Sequence, residues 1–189
     1  MEIAFTDLNK LLGNADIYLI DQILKGRFEY AMNILDAGCG EGRNLRYFQD
    51  RMIIAMDKDP MAIKMARMTY KSIPAECFIE GDVMQIPFPD EVFDFVICSA
   101  VLHFATTREE FQKMLLELYR VLKNDGLLFI RTATKLNAPL GEHPLFTYMM
   151  DQQDIDWISE RFTWLDPFKT VVVEERSMAV LMLCKKGSQ

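Results

Sequence analysis

Twelve residues, Asn33-Ile34-Leu35-Asp36-Ala37-Gly38-Cys39-Gly40-Glu41-Gly42-Arg43-Asn44, restrict what this chain can fold into more than any other stretch. An apolar run ends at an acid, Asp36, and glycines follow at alternate positions, 38, 40 and 42. The order reads as a strand, a tight turn and the start of a helix reaching Phe48. Glycine adopts positive φ freely and lets a ligand approach the main chain with no Cβ in the way. A helix N-terminus behind it offers free N–H groups and a partial positive charge. The stretch is therefore expected to cradle a polar ligand at the junction of a strand and a helix. Its spacing departs from the dinucleotide fingerprint G-x-G-x-x-G. A carboxylate two residues ahead of the first glycine repels a pyrophosphate and attracts an ammonium. That favours an amino-acid-bearing cofactor over a nicotinamide dinucleotide.

The rest of the chain supplies the matching α/β pattern. Ile17, Ile20, Ile23 and Leu24 recur at helical spacing, with Asp16 as N-cap and Gly26 as stop. This helix either covers one sheet edge or forms a lid with Tyr18 facing the site. Met52 to Met56 is a continuous apolar run, the mark of a strand buried on both faces. It ends at Asp57, close to the offset of about 20 residues at which an acid meets ribose hydroxyls. Asp59 precedes Pro60, which favours the first helical position and makes Asp59 the N-cap. Asp57 is then expected to be free for both ribose hydroxyls. Met61, Met65 and Met68 form a stripe on the following helix, read here as core. Cys77 to Ile79 and Val92 to Ser99 are further strands. Phe111, Leu115, Leu118 and Leu122 mark an amphipathic helix with Thr107 and Glu110 as a capping box. Leu127 to Ile130 is a fifth strand, Thr132 to about Asp151 a loop, Ile155 and Ile158 a short helix. Thr170–Val173 and Met178–Leu183 read as a closing hairpin.

Leu35 to Gly42 closely resembles the glycine-rich motif of class I S-adenosylmethionine-dependent methyltransferases. The block Gly81-Asp82-Val83-Met84-Gln85-Ile86-Pro87-Phe88-Pro89-Asp90, with Phe93-Asp94 entering the next strand, resembles that family's second signature, and Leu118 to Gly126 fits it too. The resemblance implies an α/β fold: a three-layer Rossmann-like sandwich whose seven-stranded, mostly parallel sheet carries an antiparallel C-terminal hairpin strand. It implies one methyltransferase domain over 1–189, divided into a helical cap (1–30), a cofactor-binding core (31–135) and an acceptor-side loop with the closing hairpin (136–189). It further implies methyl transfer from S-adenosylmethionine, leaving S-adenosylhomocysteine. The cofactor-binding residues it points to are Asp36, Gly38, Cys39, Gly40, Gly42, Asp57, Lys58, Asp82, Val83 and Ser99. Asp82 faces the adenine amino group in that scheme, and the Val83 N–H a ring nitrogen. Lys58 departs from the family, which usually offers adenine an apolar face there; only its alkyl stem serves. His103, just past the fourth strand, is the candidate general base. Arg43, His143, Phe146 and Tyr148 are candidates for the acceptor side.

The net charge of −7 and a pI near 4.9 argue against a general nucleic-acid or anionic-membrane binder. No Asn-Pro-Pro-Tyr-type motif of amino-directed nucleic-acid enzymes is present. A small-molecule acceptor is the default expectation and the chain is expected to be a monomer or homodimer, with a protein acceptor or a catalytically silent cofactor-binding partner subunit as the alternatives. Four cysteines without C-x-x-C spacing and only two histidines indicate reduced thiols, a cytoplasmic setting and no metal site. Met1 to Lys10 lacks the apolar core of a signal peptide.

Overall fold

The computed structural model describes residues 12–138, 146–173 and 176–187. Within them Ile17–Leu24 forms α1, Asn33–Ala37 β1, Met52–Asp57 β2, Pro60–Thr69 α2, Phe78–Glu80 β3 and Phe93–Ser99 β4. Arg108–Val121 is α3, Leu122–Ala133 β5, Gln152–Arg161 α4, Phe162–Trp164 β6, Lys169–Val173 β7 and Arg176–Lys185 β8. The strands make one sheet in the order β3-β2-β1-β4-β5-β8-β6, with β7 also on β8. β1 to β5 run parallel, and β8 is antiparallel to β5, β6 and β7. Eight strands replace the seven expected because the outermost position is shared. β6 pairs the end of β8 and β7 its beginning, and the chain between them passes through Asp166-Pro167. Proline cannot donate to a ladder, so an edge strand breaks there at little cost.

Alternation along the strands builds the three layers. Leu35, Phe93, Val96, Cys98, Leu181 and Leu183 face one side, where α3 contributes Phe111, Leu115 and Leu118 and α4 contributes Ile158. Ile34, Phe95, Ile97, Val180 and Met182 face the other, under Leu19 of α1 and Ala66 of α2. Strands covered on both faces need no polar alternation.

Four local expectations change. The residues after Gly42 do not form a regular helix: Gly42 donates to Cys39 O and Leu45 to Gly42 O, and only a 3-10 turn, Leu45–Tyr47, follows. Gly38, Gly40 and Gly42 all have positive φ, which keeps the chain out of right-handed helix until residue 43. In α1 the buried residues are Leu19 and Gln22, whereas Ile17 and Leu24 are exposed. Asp16 does cap that helix, accepting from Tyr18 N–H at 3.1 Å. In α2 the methionine stripe faces outward rather than into the core: Met61 is 59%, Met65 41% and Met68 59% exposed. The smaller Ala66 and Ile63 carry the contact with the sheet, which lets this short helix lie close to it. The capping box of α3 is also shifted. Thr107 accepts from Glu110 N–H, but the Glu110 carboxylate binds Thr106 rather than Thr107.

Candidate cofactor and acceptor site

β1 lies between β2 and β4, so consecutive crossovers leave it in opposite directions and open a crevice at the carboxyl ends of the strands. A cavity of about 590 Å³ occupies that crevice. Its wall brings together Gly38, Cys39 and Gly40 after β1, Asp57 and Lys58 after β2, Asp82 and Val83 after β3, Ser99 after β4, and Arg43. These are nine of the residues singled out from the sequence, carried by four separate turns.

The main chain shapes the crevice. Gly38 N–H and Cys39 N–H both donate to Met56 O, at 2.7 and 2.9 Å, folding the glycine turn over the end of β2. Beyond β4, Ala100 takes φ of 65° and donates to Arg131 O at 2.7 Å, which throws Val101 against Gly38. A Cβ on Gly38 would collide with Val101. A Cβ on Gly42 would come within 2.8 Å of Leu45 and 2.9 Å of Tyr70. A Cβ on Gly40 would meet no atom of the described residues within 4 Å; it would project into open space among them. Two of the glycines are thus required by packing inside the protein, and Gly40 leaves room for a ligand.

Asp57 is not free in the way the sequence suggested. Its Oδ2 accepts from Gly40 N–H at 2.8 Å and its Oδ1 from Asp59 N–H at 3.0 Å. It therefore ties the glycine turn to β2 while still bordering the cavity. Asp59 caps α2 as expected, accepting from Met61 N–H at 2.8 Å. Replacing Asp57 by Ala is expected to cost both cofactor affinity and about 1–3 kcal/mol of stability, since two backbone donors lose a charged acceptor. Asp59→Ala is expected to cost about 1 kcal/mol of stability with affinity nearly kept. Thermal melting and calorimetry on the two variants separate these outcomes.

Asp36 stands behind the glycine turn, fully buried, and among the described residues neither carboxylate oxygen has a hydrogen bond of good geometry. Burial raises its pKa to about 7, opposed by the Arg43 charge and the Asn44 amide. Arg43 in turn donates to Ser99 Oγ at 2.9 Å and lies at the cavity wall. Ser99 Oγ donates to Asp16 Oδ2, 2.5 Å away, and Arg131 Nε donates to the same Asp16 oxygen at 2.8 Å. This network, Asp16–Ser99–Arg43 with Arg131, fixes the start of α1 to the ends of β4 and β5. Asp16 is the functional-site residue that sequence reasoning saw only as a cap.

Asp82 faces the cavity, with Oδ1 accepting from Met84 N–H at 2.8 Å in a turn of its own making. His103 is placed differently from expectation. It is buried, it is not on the cavity wall, and its ring lies against Phe104 and Phe146 at 4.6 and 4.5 Å between centroids. Burial first, and then the charges of Arg131, Arg176 and Arg43, lower its pKa to about 4. Its surroundings thus favour the neutral imidazole, and its Nδ1 has no hydrogen-bond partner among the described residues. Tyr148 is also turned away. Its ring stacks on Phe111, and its hydroxyl donates to Asp154 at 2.9 Å while accepting from Arg108 at 3.1 Å. Phe146 packs on Ala133, Met149 and Met178 rather than on the cavity. His143 lies outside the described residues. All four cysteines are unpaired. Among the described residues no cluster suits a metal ion, and no helix is long and apolar enough to cross a membrane.

The residues fit S-adenosylmethionine. An orphaned buried carboxylate beside a guanidinium complements an amino acid's ammonium and carboxylate, and open space at Gly40 admits the ligand against the main chain. A cleft of this kind, at the switch point of a mostly parallel sheet, defines a Rossmann-like cofactor-binding protein. A model of the methyltransferase domain matches residues 35–130, and the chain belongs to this family, whose cofactor is S-adenosylmethionine. An uncharacterised methyltransferase of Bacillus subtilis is 31% identical over 69% of this chain and 55% of its own length. A malonyl-[acyl-carrier protein] O-methyltransferase of Herminiimonas arsenicoxydans is 30% identical over 65% and 49%. A tRNA (carboxymethyluridine(34)-5-O)-methyltransferase of Saccharomyces cerevisiae is 31% identical over 59% and 39%. The chain spans about half the length of the curated relatives it matches. Among solved structures, N-methyltransferase NodS of Bradyrhizobium japonicum in complex with S-adenosylhomocysteine superposes with a TM-score of 0.69 at 16% identity, covering 97% of this chain and 99% of that one.

Proposed function

We propose that this chain transfers the methyl group of S-adenosylmethionine to a small molecule. The observation that carries the reading is Asp36, buried behind the glycine turn within the field of the Arg43 charge, next to a 590 Å³ cavity that Arg43, Asp57 and Asp82 border. The cofactor supplies a methyl group activated on a sulfonium. Asp36 holds the ammonium by charge, and Arg43, kept in place by Ser99, holds the carboxylate. Asp57 serves the ribose through the face it leaves open, while Asp82 and Val83 border the adenine end. Methyl transfer of this kind depends mainly on an in-line approach, so the protein's work is positioning and exclusion of water. His103 takes no part in proton transfer in this scheme. The acidic net charge supports a small acceptor over a polynucleotide, while the relatives' acceptors include malonyl-[acyl-carrier protein] and a tRNA. The test is methyl transfer from cofactor labelled on the methyl group, run against a panel of small carboxylic acids, amines, phenols and thiols, and against tRNA. Label in a small molecule is expected. Label only in tRNA, or only in an added protein, would overturn the acceptor class, and calorimetry with S-adenosylhomocysteine tests the cofactor independently.

A further inference from the structure

The outer face of α2 carries a feature that cofactor binding does not use. Met61, Met65 and Met68 are three and four residues apart and so line one stripe, directed away from the buried Ala66 and Ile63. Lys58, Lys64, Arg67 and Lys71 are all exposed around that stripe. Among the described residues none of these four cations has an ion pair or a side-chain hydrogen bond. The only acid from residue 58 to residue 75 is Asp59, and its side chain is engaged in capping the helix. The patch is thus a local excess of positive charge in a chain whose net charge is −7. It also adjoins the cofactor crevice, because Lys58, just ahead of α2, and Thr69, the last residue of α2, both border the cavity.

We propose that this face docks a second, different protein, through a helix with an apolar ridge flanked by acidic residues. Methionine is unbranched and polarisable, and it suits apolar partners of varied shape. A docked amphipathic helix presents its own apolar anchors at i, i+3, i+4 and i+7, and residues 61, 65 and 68 give them a continuous apolar track about two turns long. The surrounding cations steer an acidic partner and set its orientation. A second copy of this chain is the poorer match. The exposed Ile17 and Leu24 of α1 have only Asp21 between them, and it is already paired with Lys25 and Lys169. On α3 the exposed Leu116 stands beside Lys113 as well as Glu109, and the exposed residues of α4 are polar. A polynucleotide would leave the methionine stripe in water or against phosphate. A partner seated on α2 stands at the cavity's rim, where it can present an acceptor or close the entrance.

The test is binding, not turnover, so its outcome does not depend on the acceptor. The probe is a fluorescent helical peptide with a leucine ridge and glutamate flanks, titrated by anisotropy into the intact protein. A scrambled peptide of the same composition, phosphatidylserine vesicles and single-stranded RNA serve as the competing arms. Binding of the helical peptide is expected, weaker at high salt, at least tenfold weaker to Lys64→Glu/Arg67→Glu, and at least tenfold weaker to Met61→Ser/Met65→Ser/Met68→Ser. S-adenosylhomocysteine affinity, unchanged in both variants, shows that they are folded. Equal binding of the scrambled peptide, no loss in either variant, or preferential binding to vesicles or RNA would overturn the proposal. So would self-association in sedimentation that the methionine variant abolishes.

Discussion

Replacing Asp36 by Asn is expected to remove cofactor binding while flattening the pH dependence of the apo protein's stability. The folded protein holds the Asp36 proton up to a pH of about 7, whereas an exposed aspartate releases its proton near 3.8. Below about pH 4 both states carry the proton and the group costs nothing. As pH rises from there through 7, the unfolded chain ionises first and folding becomes progressively less favourable. The penalty is complete above 7 and is on the order of 4 kcal/mol for a rise of this size. The amide of the Asp36→Asn variant cannot ionise, so its melting temperature relative to the native protein is expected to rise between pH 4 and pH 8. The cofactor's ammonium reverses the balance in the native protein by giving the carboxylate a counter-charge, and binding near pH 6 is expected to release a proton from Asp36. Without that carboxylate the ammonium enters a buried site unpaired, which costs about 3–5 kcal/mol. Calorimetry in buffers of different ionisation enthalpy measures the proton release, and melting curves across pH measure the stability term. A native protein whose stability does not fall over this range relative to the variant would show that Asp36 is ionised at little cost.

The second large effect separates two glycines that look alike in sequence. Gly38→Ala is expected to damage the fold itself. Its Cβ collides with Val101, whose position follows from the strained turn at Ala100, and its φ of 82° disfavours any side chain. Overpacking and left-handed backbone together are expected to cost about 2–5 kcal/mol. Gly40→Ala meets no atom of the described residues, so only its φ of 54° opposes it there, roughly 1–2 kcal/mol. Its methyl group instead occupies the space left for the cofactor. A loss of affinity of about a hundredfold or more is expected, near 3 kcal/mol, in a protein that still melts cooperatively. Equal losses of stability in the two variants would mean that Gly40 also is required by packing.

Much of this molecule was legible before any coordinate. Alternating strands and helices, the turn at Gly38 to Gly42 and the acids closing β1, β2 and β3 are local signals. The parallel sheet then brings them together, because every such turn must emerge at the same edge. The cap at Asp59 was equally plain, since cap and helix are neighbours in the chain. Other features depend on where distant segments meet. Periodicity located the methionine stripe of α2 but could not say which side of that helix faces the sheet; close packing of Ala66 and Ile63 decided it. The position of His103 past β4 was right and the direction of its ring was not, because Phe104 and Phe146 hold it inward. Asp57 lost its freedom to the Gly40 amide, 17 residues away. Asp16 acquired its role through Ser99, 83 residues away, and Arg131, two contacts that no spacing encodes. The sequence by itself determined the elements, their order and the chemistry placed at strand ends, because these follow from backbone propensity and from the period of burial. Tertiary structure alone decided which carboxylates are orphaned, which are bonded to the main chain and which side chains face the cavity, because burial and partnership exist only once the layers have packed.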